Sequence, residues 1–137
     1  MEKNIQIPKN IVKTAIKFAK KSNCKYYKHS AVIFKGKRII HAACNLIYKT
    51  HPNGSGPHTS SHAEVRAIIQ GIKVKDLTNT KILIVRINRQ EKLKNSKPCK
   101  DCMKLINRYK LRPIWSIGDN TYNEYKKYRK YDKEFST

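Results

Sequence analysis

Acidic residues are scarce in this chain, which has 9 aspartates and glutamates against 31 lysines and arginines among its 137 residues. The resulting net charge of +22 favours polyanionic partners, and nucleic acid is the first candidate. A bias towards AT-rich codons offers a second explanation of the lysines, although it explains the shortage of carboxylates less well. Residues 119–137 carry five basic and four acidic side chains, so the excess charge belongs to the rest of the chain.

Long apolar runs are also lacking. No stretch approaches the roughly 20 apolar residues of a transmembrane helix, and residues 1–10 lack the apolar core of a secretory signal. We therefore expect a cytoplasmic or nuclear protein that is neither secreted nor membrane-bound. The length of 137 residues and the hydrophobic fraction of 39% predict one soluble globular domain over residues 1–137.

Cysteine is limited to four positions, Cys24, Cys44, Cys99 and Cys102. A disulfide framework is disfavoured in a chain of this size that has no export signal. The spacing Cys99-x-x-Cys102 is instead typical of a metal site or a redox motif.

Hydrophobic periodicity predicts alternating helices and strands. An amphipathic helix over residues 11–21 follows an N-cap at Asn10 and carries a lysine ridge, which is either a solvated face or a polyanion contact (Lys9, Lys13, Lys17 and Lys20). The other expected elements are strands at 31–34 and 39–43, a loop at 46–61, a helix at 62–72, a strand at 82–85, a loop at 88–97, a helix at 99–109 and a strand at 113–117. This order predicts an α/β sandwich with helices on both faces of a sheet.

Residues 119–137 allow two interpretations. Tyrosines recur every third residue, which suits a helix edge, whereas Asp119-Asn120 suits a turn into a final strand (Tyr122, Tyr125, Tyr128 and Tyr131). Aromatic side chains among lysines can stack on bases. The small net charge of this segment favours packing against the body of the protein.

Two short motifs carry the chemistry, His62-Ala63-Glu64 and Pro98-Cys99-x-x-Cys102, and each opens a predicted helix. The N-terminus of a helix lowers the pKa of a cysteine, which favours the thiolate that zinc requires. One imidazole and two thiolates leave an open position on a tetrahedral Zn²⁺, as in catalytic sites. Such an ion lowers the pKa of water towards neutrality, and Glu64 lies near enough in sequence to exchange protons as the catalytic residue.

Other uses of these residues are open at this stage. A closed structural zinc site would take a fourth ligand from Cys24, Cys44, His51 or His58. A thioredoxin-type redox role for Cys99 and Cys102 would leave His62 and Glu64 without a function. An H-x-E motif followed by P-C-x-x-C is the pattern of zinc-dependent nucleobase deaminases, and this interpretation uses all four residues.

The sequence resembles the cytidine and deoxycytidylate deaminase superfamily from the helix at residue 11 to Ile117. Besides the zinc motifs, the resemblance includes the segment 29–33, Gly36-Lys37, Asn45 and Ser96-Lys97. It implies a three-layer sandwich with a five-stranded mixed sheet, the two zinc helices on one face and the first helix on the other. The lysine ridge would then point away from the site.

The same resemblance implies the substrate contacts. Asn45 would bind the sugar, and the backbone of Ala63 and of residues 96–99, including Ser96 and Pro98, would line the base pocket. The loop 46–61 would border its mouth. His29, His51 and His58 receive no role, and a dimer or tetramer is expected.

Departures from the family patterns leave the subfamily open. Asp101 stands where the tRNA adenosine deaminases usually have methionine. Free cytidine deaminases usually have glycine at Lys100, Arg-Gln at 103–104 and a glutamate at Ile47 that completes a sugar clamp with Asn45. The deoxycytidylate branch stays open, and the positive charge would suit a 5′-phosphate.

Three hypotheses about function follow. The first is a Zn²⁺-dependent deaminase that converts a free cytosine nucleoside or nucleotide to the uracil form and releases ammonia. The second is a deaminase that edits single-stranded DNA or RNA. The third is a basic nucleic-acid-binding protein that retains the deaminase scaffold.

Overall fold

The computed structural model describes residues 6–24, 28–47, 60–73, 76–119 and 121–124. Its elements in chain order are α1 (Lys9–Lys20), β1 (Lys28–Lys35), β2 (Arg38–Cys44), β3 (Leu46–Ile47), β4 (Ser60–Ser61), α2 (Ala63–Gly71), β5 (Lys81–Ile87), β6 (Leu93–Lys94), α3 (Lys100–Arg108), β7 (Arg112–Gly118) and β8 (Thr121–Glu124). Among the described residues, no helix has the length and apolar character needed to cross a membrane.

Five strands form one continuous sheet in the order β2-β1-β5-β7-β8, and the short β6 pairs with β5. Strands β5 and β7 are parallel, whereas the other neighbouring pairs are antiparallel. A parallel pair needs a crossover connection, and α3 lies in that connection. The predicted five-stranded mixed sheet is therefore confirmed, and β6 is an additional strand inside the predicted loop 88–97. The predicted loop 46–61 likewise begins and ends with strands β3 and β4, which pair with each other.

The sheet separates two hydrophobic clusters. On one face, α1 packs on the sheet through Ile11, Ala15, Ala19, Val32, Phe34, Leu83, Val85 and Ile114. On the other face, α2 and α3 pack on it through Ala63, Ala67, Ile68, Met103, Ile106, Ala31, Ile33, Ile82, Ile84 and Trp115. Because successive residues of a strand point to opposite faces, β1 contributes Val32 to the first cluster and Ala31 and Ile33 to the second. The predicted sandwich with helices on both faces is confirmed.

Helix α1 begins two residues earlier than predicted. It runs from Lys9 to Lys20, and the amides of Ile11 and Val12 donate to the carbonyl of Pro8. The predicted N-cap at Asn10 is wrong, because the Asn10 side chain donates to the Lys37 carbonyl in the turn between β1 and β2.

The apolar residues of α2 do not all face the sheet. Ile69 and Ile72 are 47% and 41% exposed. The buried side consists mainly of small residues, which allows the helix to lie close to the sheet (Ala63, Glu64, Ala67, Ile68 and Gly71). At Gly71, a Cβ atom would lie only 3.3 Å from Cδ1 of Ile33.

The end of the described chain forms a strand. Residues Thr121–Glu124 pair antiparallel with β7, so the interpretation of this part as a helix edge is wrong. Tyr122 is half-buried and packs against the cluster on the α1 face, as favoured from the sequence. Tyr125, Tyr128 and Tyr131 lie outside the described residues.

The chain leaves α3 through a residue in the left-handed conformation. Lys110 has a φ of 59° and its amide donates to the carbonyl of Asn107. A side chain with a Cβ is strained in this left-handed conformation by roughly 1 kcal/mol. We expect Lys110→Gly to raise the free energy of unfolding by about 1 kcal/mol in urea denaturation. Lys104→Gly, in the middle of α3, is the control and should lower it by about 1 kcal/mol. A less stable Lys110→Gly protein would contradict this account.

Candidate metal centre and substrate pocket

The metal-binding motifs occupy equivalent positions on two helices. His62 immediately precedes α2, and Cys99 immediately precedes α3, each with an extended backbone conformation. Cys102 lies three residues after Cys99 on the first turn of α3. Since α2 and α3 pack side by side on the same face of the sheet, their N-termini bring the imidazole and both thiols together.

The three side chains form a cluster with the dimensions of a metal site. Their ligand atoms all lie within 4.8 Å of one another. Nδ1 of His62 is 3.2 Å from Sγ of Cys102 and 3.8 Å from Sγ of Cys99. Zinc bonds to nitrogen and sulfur at tetrahedral angles separate ligand atoms by roughly 3.6–3.8 Å. The donor set therefore fits Zn²⁺ with only small side-chain movements.

A fourth protein ligand is not found in the described part of the chain. Cys24 and Cys44 do not belong to the cluster, and the thiol of Cys24 instead accepts a hydrogen bond from Nδ2 of Asn45 at 3.2 Å. His51 and His58 lie outside the described residues. Three protein ligands are typical of catalytic zinc sites, whereas structural sites have four.

Glu64 lies beside this cluster and is buried, with only 5% of its surface exposed. Burial raises the pKa of the Cys102 thiol, and the neighbouring Glu64 carboxylate raises it further. Desolvation thus opposes the lowering of this pKa that was expected from the N-terminus of α3. Binding of Zn²⁺ has to displace the proton, since the metal ligand is the thiolate.

A pocket of about 260 Å³ opens next to the cluster. It is lined by His29, Asn45, His62, Ala63, Glu64, Ser96, Lys97 and Cys99. The structure thus brings six of the eight predicted metal, catalytic and substrate residues to the pocket wall, while Cys102 is buried in the metal cluster and does not line the pocket. Pro98 is buried and does not line the pocket.

Asn45 is held in place by the surrounding protein. Its Oδ1 accepts hydrogen bonds from the Ser22 hydroxyl at 2.7 Å and from the His29 amide at 2.8 Å. The backbone amide can only donate, so the oxygen and nitrogen of the Asn45 side chain are assigned unambiguously. The backbone amide of Asn45 donates in turn to the His29 carbonyl at 3.1 Å.

Ser96 is held in a second network on the opposite side of the pocket. Its hydroxyl is 2.7 Å from the Ile84 carbonyl and 2.9 Å from the Ser116 hydroxyl, and it accepts from the Ser116 amide at 3.1 Å. These bonds attach the segment before Cys99 to the middle of β5 and to β7. The Ser96 amide also donates to the Ser116 carbonyl at 2.9 Å, and the contact of its backbone with a base stays a prediction.

His29 and Lys97 also line the pocket. Lys97 lies within the segment 96–99 that the resemblance placed at the base pocket, whereas His29 received no role from the sequence. His29 lies on β1 two residues before Ala31, so strand alternation places its side chain on the α2 and α3 face. Lys97 is exposed and directly precedes the buried Pro98. Strand alternation indicates the direction of His29, but its distance from the zinc helices depends on the register of the sheet.

Comparison with known families agrees with this geometry. The sequence profile described as the cytidine and deoxycytidylate deaminase zinc-binding region matches residues 6–116. The chain belongs to this deaminase family. Its cofactor is Zn²⁺, and His62, Cys99 and Cys102 are placed to bind it. A search of curated protein sequences gives no significant match.

Solved structures share the fold at low sequence identity. The dCMP deaminase from the cyanophage S-TIM5, in complex with dCMP and dUMP, is 22% identical, with a TM-score of 0.61 over 81% of this chain and 83% of that chain. The cytidine deaminase from Burkholderia pseudomallei is 14% identical, with a TM-score of 0.64 over 88% of this chain and 92% of that chain. The deaminase fold is therefore shown, while the likeness does not decide the substrate.

The network around Asn45 can be tested through stability. Asn45→Ala removes the acceptor of the part-buried His29 amide and of the Ser22 hydroxyl, so we expect a loss of about 2 kcal/mol of unfolding free energy in urea denaturation. Ser22→Ala removes one donor and should lose about 1 kcal/mol. In a double-mutant cycle the two changes should show a coupling of about 1 kcal/mol. Strict additivity would contradict a direct Ser22–Asn45 bond in solution.

The raised pKa of Cys102 predicts how zinc binding depends on pH. The metal-free thiol is protonated at neutral pH, so Zn²⁺ binding should release a proton and the affinity should increase from pH 6 to pH 8. Calorimetric titration in buffers of different ionisation enthalpy measures the number of protons released. Cys102→Ala should bind zinc much more weakly and release fewer protons. An affinity that does not change with pH would contradict the assignment of Cys102 as a thiolate ligand.

Proposed function

We propose that the protein is a zinc-dependent hydrolytic deaminase that converts the cytosine of a nucleoside or nucleotide to uracil and releases ammonia. The observation that carries this proposal is the position of Glu64, which is buried beside the His62, Cys99 and Cys102 cluster and faces a pocket. A redox function of the two cysteines would not require a histidine and a carboxylate at the same place.

The overall reaction consumes one water molecule. Its oxygen bonds to C4 of the cytosine ring, the bond between C4 and the exocyclic nitrogen breaks, and ammonia leaves. When bound, Zn²⁺ supplies Lewis-acid activation of water. The protein residues must then supply a proton carrier, a means of orienting the base and a site from which bulk water is excluded.

Glu64 is the proposed proton carrier. Its carboxylate accepts a proton from water, delivers it to N3 of the ring and then helps to protonate the departing amine. Because Glu64 is almost fully buried, its charge is poorly screened and acts strongly on the reacting atoms. The backbone at Ala63 and Ser96 borders the same pocket and is proposed to orient the base.

The pocket is suited to a small substrate. Its volume of about 260 Å³ lies at the lower end of ligand pockets, which usually enclose about 300–1,000 Å³. Asn45 is proposed to donate to a sugar hydroxyl, since its Oδ1 accepts two hydrogen bonds from the protein. The expectation of a homodimer or homotetramer stays a prediction, as does the cytoplasmic or nuclear location.

The role of Glu64 is tested by Glu64→Gln, which keeps the size of the side chain but removes its ability to carry a proton. We expect turnover to fall by about 10²–10⁴-fold, while one zinc ion per chain is retained. Ammonia release is measured with cytidine, deoxycytidine, CMP and dCMP, and base change with cytosine-containing single-stranded DNA and RNA. Asp101→Asn, an exposed carboxyl of α3, is the matched control and should keep full activity.

The outcomes separate the three hypotheses. Turnover of the small substrates supports the proposal, whereas turnover confined to polymers supports an editing deaminase. If Glu64→Gln is as active as the unmodified protein, the proton-carrier role is wrong. A zinc-loaded protein that leaves every cytosine intact but binds nucleic acid would be a binding protein built on a deaminase scaffold.

A further inference from the structure

We propose that the outer side of α3 binds the phosphate backbone of a single-stranded nucleic acid that passes the mouth of the pocket. This surface, called here the α3 basic face, consists of Lys97, Lys100, Lys104 and Arg108. All four side chains are exposed, and the opposite side of α3 is buried in the core through Cys102, Met103 and Ile106.

The spacing of the basic residues aligns them along the axis of α3. Lys100, Lys104 and Arg108 are four residues apart, so they form one stripe along the helix. Each step of four residues advances about 6 Å along the helix axis, which is comparable with the distance between neighbouring phosphates of an extended strand. Three successive phosphates can therefore each meet one cation.

The charge of this face is barely compensated. Asp101 is the only acidic residue of α3, and no ion pair joins Lys97, Lys100, Lys104 or Arg108 to an acidic group among the described residues. Cations that no acidic side chain compensates can neutralise phosphates, which releases the counterions condensed on the nucleic acid. The surface therefore has the electrostatic character of a phosphate-binding site.

Continuity with the pocket distinguishes the α3 basic face from other charged surfaces. Lys97 lines the pocket itself, and α3 begins directly after the pocket residue Cys99. The lysine ridge of α1 lies on the opposite face of the sheet, and its Lys20 is paired with Glu91 at 2.8 Å. A strand held on α3 can insert one base into the pocket, whereas a strand held on α1 cannot.

The preference for a single strand follows from the size of the pocket and rests on the proposed function. A concavity of about 260 Å³ accommodates one base but no base pair. Enzymes that act on a base need it unpaired or removed from the stack. An unpaired strand meets this requirement without the energy needed to open a duplex.

The proposal is tested by binding of labelled oligothymidylate and oligouridylate to the zinc-loaded full chain. Neither oligomer contains cytosine, so binding is measured without any deamination. The test variant combines Lys100→Gln, Lys104→Gln and Arg108→Gln. The matched control combines Lys9→Gln, Lys13→Gln and Lys17→Gln on α1, which removes the same charge from an exposed helix. Circular dichroism and zinc content establish that both variants are folded.

We expect the α3 variant to bind at least about tenfold more weakly and its salt dependence to flatten by about 2, since each phosphate contact on a single strand contributes about 0.7 to the slope. The α1 variant should lose less than about threefold, through the general field alone. If the triple α3 variant does not fold, Lys104→Glu and Lys13→Glu give the same comparison with single changes.

Several results would overturn the proposal. Equal losses in the two variants would show that the oligomers respond only to the total charge. Binding of duplex DNA as tightly as the single strand, with the same dependence on α3, would refute the preference for unpaired strands. Stronger binding to vesicles of anionic phospholipid than to either oligomer would indicate a membrane surface. A comparison of the two oligomers separates DNA from RNA as the source of the phosphates.

The test is independent of the proposed reaction. If the protein deaminates dCMP but its binding of the oligomers does not depend on α3, this inference is wrong and the proposed function still holds. Conversely, α3-dependent binding in a protein without deaminase activity would support the surface and refute the proposed chemistry.

Discussion

The site depends on one constraint, the meeting of two helix N-termini on the same face of the sheet. α2 connects the β2 side of the sheet to β5, and α3 connects β5 to β7 in parallel. Both helices pack against the sheet through small or flexible residues such as Ala67 of α2 and Met103 of α3. If either helix moved along its axis by one turn, about 5 Å, the imidazole and the thiols would no longer share one ion.

The Cys102 thiol and the Glu64 carboxylate lie close together, and this proximity disfavours the thiolate. Cys102 and Glu64 are both nearly buried, and the carboxylate raises the pKa of the thiol. Two negative charges at this depth would repel each other in the absence of a cation. Without a metal the Cys102 thiol therefore keeps its proton, whereas a divalent ion would favour the thiolate and attract the carboxylate. Bound Zn²⁺ would also tie the N-termini of α2 and α3 together.

The sequence predicted those features that depend on local pattern. The order of helices and strands and the cluster of His62, Cys99 and Cys102 follow from periodicity and short motifs, whereas the five-stranded mixed sheet was implied by the family resemblance. The errors arise where tertiary contacts override the pattern. Asn10 does not cap α1 because its side chain donates to the Lys37 carbonyl in the turn between β1 and β2. The Asp119-Asn120 pair indicated a final strand as one of two interpretations, and the pairing of β8 with β7 decides between them.

Several departures from the family patterns lie on α3. Lys100, Asp101 and Lys104 are exposed, and Met103 packs in the core, so none of these positions changes the metal ligands. The networks of Asn45 and Ser96 hold the pocket walls through backbone groups, which leaves little room for variation there. Differences in substrate are therefore expected at the rim, where His29 and Lys97 offer a ring and a cation to whatever is attached to the base. Under the proposed function, the chemistry would be set by Glu64 and the metal ligands, whereas the choice between a free nucleotide and a strand would depend on the charges that surround the opening.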